Sequence, residues 1–124
     1  MKLEEFSQDD FERASRRLVR SLTRGKTTSS QPKAILLGGQ SGAGKTTIHR
    51  VKQREFQGNI IIIDGDSYRS FHPNYLGLQE KYGKDSVDYT KVFAGRMVEY
   101  LVDELSKQGY NLLIEGTLRT TEVP

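Results

Sequence analysis

The sequence predicts an α/β fold in which a parallel three-stranded sheet alternates with helices and follows an N-terminal helix. Two short apolar runs at 34–38 and 59–64 are typical of strands buried in a parallel sheet, and a third lies at 110–114. Helical patterns separate the three runs. Because successive parallel strands need crossover connections, this order predicts right-handed strand–helix–strand units. We expect the third strand to insert between the other two, in the spatial order 2-3-1.

The first predicted element is an N-terminal helix over 7–24, one side of which is apolar. Ser7 can cap its start, and Gly25 can end it. The apolar side comprises Phe11, Ala14, Ser15, Leu18, Val19 and Leu22. The opposite side carries Arg13, Arg16, Arg17, Arg20 and Arg24. These arginines indicate a solvated basic face or, as an alternative, a docking surface for an acidic protein; nucleic acid ranks last because no aromatic residue interleaves with them.

The remaining helices are predicted from periodicity and from the positions of glycine and proline. A helix follows the first strand over 45–56. Pro73 suits the first turn of a short helix that ends near Gly83. A long helix follows over 87–108, and Gly109 ends it. Its apolar side comprises Val92, Phe93, Met97, Tyr100, Leu101 and Leu105.

The composition excludes several classes of protein. A chain of 124 residues allows one domain. The absence of cysteine excludes disulfides, thiolate zinc sites and cysteine nucleophiles, and two histidines argue against a histidine-rich metal site. No apolar run approaches the ~18–20 residues of a membrane span, and the N-terminus lacks the apolar segment of a secretory signal. Since the net charge of +3 is too small to indicate nucleic acid, we expect a cytoplasmic protein that binds neither membrane nor nucleic acid.

The strongest motif lies between the first strand and the second helix, where residues 39–46 match the phosphate-loop (Walker A) pattern G-x-x-x-x-G-K-S/T. Its glycines let backbone N–H groups surround a phosphate, and the helix N-terminus adds partial positive charge. Lys45 can bridge the β- and γ-phosphates, and the Thr46 hydroxyl can ligate Mg²⁺. The motif predicts a P-loop NTPase- or kinase-like three-layer fold that binds a nucleotide. The predicted nucleotide-binding residues are Gly39, Gln40, Ser41, Gly42, Ala43, Gly44, Lys45, Thr46 and Thr47.

Two aspartates follow the second strand at the carboxyl edge of the sheet, where ligands of open α/β sheets bind. In the run Asp64-Gly65-Asp66-x-x-Arg69, one carboxylate can receive the hydroxyl of a phosphate acceptor. The other can lie in the outer shell of the metal or hold the loop, and each could instead serve only to make the turn. Arg69 can pair with Asp66, contact an anionic substrate or lie at the surface.

The third strand ends in Glu115, which resembles the acid of a Walker B segment. If this strand lies beside the first, Glu115 faces the phosphate loop near magnesium or the acceptor; the alternative is a capping or salt-bridged glutamate. Thr117 and Arg119 follow on the same rim and can bind a polar substrate.

Three further polar residues lie on the predicted helices and turns. The default interpretation of Glu99 is an ion pair with Arg96 within the long helix. His49, about one turn into the phosphate-loop helix, is interpreted as a packing or surface residue. His72, before Pro73, is interpreted as a turn residue, and neither histidine is assigned a function.

Three segments together, 34–47, 63–67 and 113–119, closely resemble the zeta-toxin family of toxin–antitoxin systems, especially its streptococcal Pez-type branch. The resemblance runs through the whole chain. It implies a kinase that uses ATP or GTP to phosphorylate the 3′-hydroxyl of UDP-N-acetylglucosamine, which blocks the synthesis of peptidoglycan precursors. It also implies a cognate epsilon-type antitoxin that occludes the nucleotide cleft.

The resemblance carries roles onto matching positions of this sequence. Lys45 and Thr46 would bind the nucleotide, and Thr46 would also bind Mg²⁺. Lys45 would in addition be a catalytic residue. Asp66 matches the catalytic aspartate that acts on the sugar hydroxyl. The residues that fall where the family contacts the sugar nucleotide are Asp66, Glu99, Glu115, Thr117 and Arg119.

The chain is shorter than family toxins, whose transition-state arginines and nucleobase-binding segments come after its last residue. We therefore expect residues 1–124 to be the N-terminal portion of one P-loop kinase domain, with 1–30 a helical extension within it. Alone, this portion is expected to be a weak kinase or none, since losing an arginine finger costs ~10³–10⁵ in rate.

Two alternative functions remain open. The run Asp64-Gly65-Asp66-x-x-Arg69 also resembles adenylylsulfate kinases, and chloramphenicol phosphotransferases are structural cousins, so another small-molecule P-loop kinase is possible. The other alternative is a truncated nucleotide-binding fragment that binds antitoxin without catalysis.

Overall fold

The structure is a computed structural model that describes residues 2–37 and 45–115; the side chains of Lys45 and Thr46 lie outside the description. Its helices and strands are α1 (Gln8–Thr23), β1 (Ala34–Leu36), α2 (Lys45–Glu55), β2 (Ile61–Asp64), α3 (Tyr75–Tyr82), α4 (Val87–Gln108) and β3 (Leu112–Glu115). A 3₁₀ segment at Gly65–Phe71 connects β2 towards α3, and a shorter one at Gly83–Ser86 leads into α4.

The sheet is parallel, and β3 lies at its centre in the order β1-β3-β2. This is the predicted order 2-3-1 counted from the other edge, and the α/β class is confirmed. Every residue of β3 is buried, as its central place requires. In the register, Leu36 pairs with Ile114, and Asp64 pairs with Glu115. The carboxyl ends of the three strands therefore meet at one edge.

The core forms between the sheet, α4 and α1. Its buried members are Phe11, Ala14, Leu18, Ile61, Ile63, Tyr68, Phe93, Ala94, Met97, Val98, Leu101, Leu105, Leu112 and Ile114. The predicted apolar side of α1 is confirmed, because Phe11, Ala14, Ser15 and Leu18 are buried, and Val19 and Leu22 are partly buried. The arginine side of α1 is exposed, as predicted.

The inner face of α4 differs from the predicted one. Val92 is 53% exposed and Tyr100 is 38% exposed, whereas Ala94 and Val98 are buried. At 3.6 residues per turn, the buried face is centred on Met97 and Leu101, and Val92 lies on the opposite side of the helix. Val92 and Tyr100 were assigned to the buried face because they are apolar or aromatic, and that assignment is wrong.

The expectation that β1 is buried on both faces is wrong. Ala34 is exposed and Leu36 is 59% exposed. Within residues 2–37 and 45–115, β1 has one strand neighbour, β3, so it lies at an edge of the described sheet. The apolar run indicates a strand, but it carries no information on how completely other elements cover that strand.

The helix ends follow local sequence signals. Ser7 Oγ accepts a hydrogen bond of 3.0 Å from the Asp10 backbone N–H, which confirms the predicted cap of α1. Gly109 adopts a φ of 98° and ends α4 where predicted. The short helix α3 begins at Tyr75 rather than at Pro73.

In the described part of the chain, no helix is both long and apolar enough to span a lipid bilayer.

Candidate functional site

Two carboxylates stand on neighbouring strands at the carboxyl edge of the sheet. Asp64 ends β2, Glu115 ends β3, and the two are partners in the parallel register. Paired residues of adjacent strands project to the same side of a sheet. The fold therefore brings both acids to one place, although the 50 intervening positions hold two 3₁₀ segments and two helices.

Glu115 is buried, with 2% of its surface exposed, and it contacts the helix that follows the phosphate-loop motif. Nε2 of His49 lies against Oε2 of Glu115, and the two form an ion pair when the imidazole is protonated. His49 comes one helical turn after Lys45. This contact therefore places α2, one turn after its start, beside the end of β3, although the role of Glu115 stays a prediction.

Tyr68, from the 3₁₀ segment, is buried at the same edge. Burial raises the pKa of the Tyr68 phenol from 10.0 to about 12, and the negative charges of Asp64 and Glu115 add to this shift. The Asp64 backbone amide opposes it, although no hydrogen bond of good geometry reaches the hydroxyl within the described residues. The phenol is therefore neutral at physiological pH and lies close to both carboxylates.

The two aspartates after β2 have different surroundings. Asp64 Oδ1 accepts a hydrogen bond of 3.2 Å from the Asp66 backbone N–H, and Oδ2 accepts one of 3.1 Å from Ser67 Oγ. Asp64 therefore holds the start of the 3₁₀ segment, which was one of the options left open. The exposed Asp66 carboxylate makes no hydrogen bond or ion pair within residues 2–37 and 45–115. Asp66 is thus the carboxylate of this pair that is open to a ligand.

Close packing sets the position of Asp66 relative to α4. A Cβ on Gly65 would lie 3.0 Å from Val98 Cγ2, so a larger residue would require the Val98 side chain to move by a few tenths of an ångström. Glu99 follows Val98 directly and is exposed. The close approach brings the backbone before Asp66 against the turn of α4 that carries Glu99.

The ion pair expected between Arg96 and Glu99 is not among those that the described residues form, so that interpretation is wrong. The Arg96 guanidinium instead stacks on the rings of Phe6 and Phe11, at 5.3 and 5.0 Å from their centroids. Arg69 does not pair with Asp66 in the described part, and its buried Nε has no hydrogen-bond partner there.

Several predicted site residues lie outside the described residues. They are the phosphate-loop residues Gly39, Gln40, Ser41, Gly42, Ala43 and Gly44, and the rim residues Thr117 and Arg119. Lys45 and Thr46 are described only as the first residues of α2, and Thr47 is exposed on the same helix. The nucleotide- and metal-binding roles of these residues stay predictions.

Sequence reasoning missed the place of His49 in this site. The available signal was its spacing, because a residue four positions after Lys45 lies on the same side of the helix. His72 lies in a turn, as predicted, because its backbone O accepts a hydrogen bond of 3.1 Å from the Tyr75 backbone N–H, and its ring is also buried. Its Nδ1 accepts a hydrogen bond from the Asn74 backbone N–H, and its Nε2 donates to Glu4 O, both at 2.9 Å. That histidine fastens the N-terminal segment and lies outside the site.

Oxygen ligands of the kind that Mg²⁺ prefers gather at this edge, as carboxylates of Asp64, Asp66 and Glu115. In the described ranges, no group of three or more histidine, aspartate or glutamate side chains is arranged to hold a metal by itself. A magnesium ion here would therefore need ligands from the phosphate-loop motif or from a nucleotide. That requirement fits the chemistry predicted for Thr46.

The chain is similar to known toxins over its whole length. Residues 18–124 match the family model described as Zeta toxin. The chain is 68% identical over 124 residues to Toxin PezT of Streptococcus pneumoniae serotype 4, and 44% identical over 119 residues, 96% of the chain, to Toxin zeta of Streptococcus pyogenes. The chain covers 49% of that PezT and 42% of that toxin zeta, so it spans about half the length of the curated relatives it matches.

A solved structure gives the same result at the level of the fold. It comes from a molecular and structural characterization of the PezAT chromosomal toxin–antitoxin system of Streptococcus pneumoniae, and it covers 100% of this chain with a TM-score of 0.93 and 69% identity. The chain covers 51% of that structure. The family match over residues 18–124, the sequence relatives and this structure agree: the chain belongs to the zeta-toxin family.

Proposed function

We propose that this chain supplies the phosphate-binding and acceptor-binding side of a kinase that transfers the γ-phosphate of ATP or GTP to the 3′-hydroxyl of UDP-N-acetylglucosamine. The observation that carries the proposal is the contact between His49 and Glu115. It puts the helix that begins at the phosphate-loop lysine beside the edge where the acids of β2 and β3 meet. Donor phosphate and acceptor hydroxyl would then meet in one cleft.

The proposed chemistry is an in-line displacement. The acceptor oxygen bonds to the γ-phosphorus as the bond from that phosphorus to the β–γ bridging oxygen breaks. Asp66 holds the acceptor hydroxyl and takes its proton, which its exposed carboxylate can do without first giving up another partner within the described residues. Lys45 neutralises charge on the transferred phosphate, and Thr46 would hold Mg²⁺, which neutralises the phosphate oxygens when bound. Glu99, Glu115, Thr117 and Arg119 would hold the sugar nucleotide.

The family supports a cellular role as the toxin of a toxin–antitoxin system. Phosphorylating this sugar nucleotide would withdraw it from cell-wall precursor synthesis in the cytoplasm. The proposed partner is a cognate epsilon-type antitoxin that covers the nucleotide cleft. The related structure from the PezAT toxin–antitoxin system supports a partner of this kind.

Transfer of label from γ-labelled ATP tests the proposal, with UDP-N-acetylglucosamine, adenosine 5′-phosphosulfate and chloramphenicol as separate acceptors. We expect label on the sugar nucleotide alone, at the low rate expected of residues 1–124. Asp66→Asn should lower the transfer rate by ~10²–10⁴-fold, since it removes the general base. Asp85→Asn is the matched control, because Asp85 is also an exposed aspartate in the first turn of a 3₁₀ segment.

Three outcomes would contradict the proposal: label on another acceptor, an equal loss in the two variants, or no loss in either. Binding of nucleotide or antitoxin with no turnover would instead support a fragment that acts by binding. In that case Lys45→Ala and Asp66→Ala would leave growth inhibition unchanged, whereas the kinase proposal requires both to abolish it.

A further inference from the structure

We propose that His49 is a positioning residue: it sets the carboxylate of Glu115 for the sugar nucleotide and so fixes the distance between the donor side and the acceptor side of the cleft. This inference rests on the proposed kinase function. The observation behind it is the contact of His49 Nε2, on α2, with Glu115 Oε2, on β3.

The burial of Glu115 makes its contacts important for the position of its carboxylate. The Glu115 side chain is 1% exposed, while the side chain of His49 is 28% exposed. A carboxylate withdrawn from water is costly unless a nearby group compensates its charge. The neighbouring Asp64 adds negative charge, and the neutral Tyr68 phenol supplies no positive charge. The His49 imidazole from α2 lies against Oε2 of Glu115, where a ring N–H can face the carboxylate.

The contact also joins two parts of the chain that have different tasks in the proposed reaction. His49 belongs to the helix that begins at Lys45, where the phosphates would bind. Glu115 ends the central strand, which is fixed on both sides by β1 and β2. Phosphoryl transfer requires the reacting atoms to be held about 3–3.5 Å apart. The direct contact between α2 and β3 would help to hold the donor phosphate and the acceptor hydroxyl at that distance.

The position of His49 predicts which kinetic constant responds to its loss. Without the imidazole, α2 still begins at Lys45, so nucleotide binding should persist. The Glu115 carboxylate loses its contact on one side and can rotate away from the acceptor. The effect should therefore fall on the KM for the acceptor and on kcat, with the KM for ATP unchanged.

The first arm of the test is steady-state kinetics of four proteins. We expect His49→Ala to lower kcat/KM for UDP-N-acetylglucosamine by about 10–100-fold, in line with the cost of misplacing a positioning group. His49→Gln should recover most of that loss, because its amide nitrogen reaches about as far as Nε2 and can donate to the carboxylate. Arg50→Ala, an exposed change on the same helix, should match the unchanged protein.

The second arm is independent of catalysis. The chain has two histidines, so ring ¹⁵N spectra contain two sets of signals. Glu115→Gln should shift the His49 signals and leave those of His72, which is held by Glu4 and Asn74, in place. Glu99→Gln is the control and should shift neither.

The two arms separate the possible failures. If the His49 signals move but no transfer to the sugar nucleotide is found in any form, the kinase function fails while the pair stands. If transfer occurs and the His49 signals do not shift in Glu115→Gln, the pairing of His49 with Glu115 is wrong. An equal rise in the KM for ATP, or a His49→Gln variant no better than His49→Ala, would overturn the positioning role even if the pair exists.

Discussion

Gly65 lies so close to Val98 that a β-carbon on the glycine would stand 3.0 Å from Val98 Cγ2. The 3₁₀ segment that carries Asp66 is thereby held directly on the long helix that carries Glu99. No hydrogen bond between the two side chains is needed for this arrangement, because packing sets it. The spacing between Asp66 and Glu99, two proposed acceptor-binding residues, therefore depends on the close packing of Gly65 against Val98.

Gly65→Ala should separate these two elements. The added methyl group meets the branched side chain of Val98, which has little rotamer freedom on a helix. We expect a loss of about 1–3 kcal/mol in the free energy of unfolding, measured by urea denaturation, and a lower rate of phosphate transfer. Val98→Ala in the same chain should restore part of both, because it removes Cγ2. Strict additivity in this double-mutant cycle would show that the two residues do not interact.

Tyr68→Phe should remove a pH dependence of stability at alkaline pH. Since burial raises the Tyr68 pKa to about 12, folding keeps the phenol protonated between pH 10 and that value. Its stabilisation is complete below pH 10 and is lost as the pH rises towards 12, by about 2–3 kcal/mol. Unfolding curves at several pH values should fall more steeply for the unchanged protein than for the variant. Parallel curves would mean that the phenol titrates normally.

His72→Ala should release the N-terminal segment. The buried ring donates to Glu4 O, accepts from the Asn74 backbone and packs against Phe6 and Phe93. Its loss should cost about 2–4 kcal/mol and should speed hydrogen exchange at residues 2–6. Asn74→Ala removes one hydrogen bond to Leu3 O and should cost about 0.5–1.5 kcal/mol. An equal loss of unfolding free energy in the two variants would show that the His72 ring does not hold the N-terminal segment.

Gly109→Ala and Gly77→Ala should have opposite signs. Gly109 has a φ of +98°, which an alanine adopts only under strain, and its Cβ would also touch Ser29 O at 3.4 Å. That change should lower the free energy of unfolding by about 1–2 kcal/mol. Gly77 lies within α3, and its Cβ would have an ordinary 3.6 Å contact with Leu3 Cδ2, so alanine should add about 0.5–1 kcal/mol. Thermal unfolding with matched chemical denaturation measures both, and a shared sign would refute the conformational argument.

Features that depend on neighbours in sequence were predicted well. Ser7 caps α1 and Gly109 ends α4, because each signal acts within one helical turn. The order of the strands was predicted from the phosphate-loop motif, because the third strand of a P-loop domain is expected beside the first, and it is confirmed. The likeness to the zeta-toxin family, based on three segments, is confirmed by the family match.

Features that depend on distant packing were not predictable. The exposure of Leu36 and Val92 is decided by which elements cover them, and their apolar character says nothing of that. The spacing of His49 from Lys45 did not identify the partner of His49, because Glu115 comes 66 positions later and is brought near by the sheet. Arg96 stacks on two rings from the N-terminal segment instead of pairing within its own helix.

The central place of β3 affects how the protein can fold while it is being made. Both other strands pair with β3, which comes last among the described strands. A ribosome adds ~5–20 residues per second, so the apolar strand around Ile61 waits for several seconds without a sheet partner. The helices can form during that delay, whereas the sheet closes only after Leu112 has left the exit tunnel. A nascent chain therefore exposes unpaired strand edges between the synthesis of β2 and that of β3, and chaperones that shield such edges would be most useful in that interval.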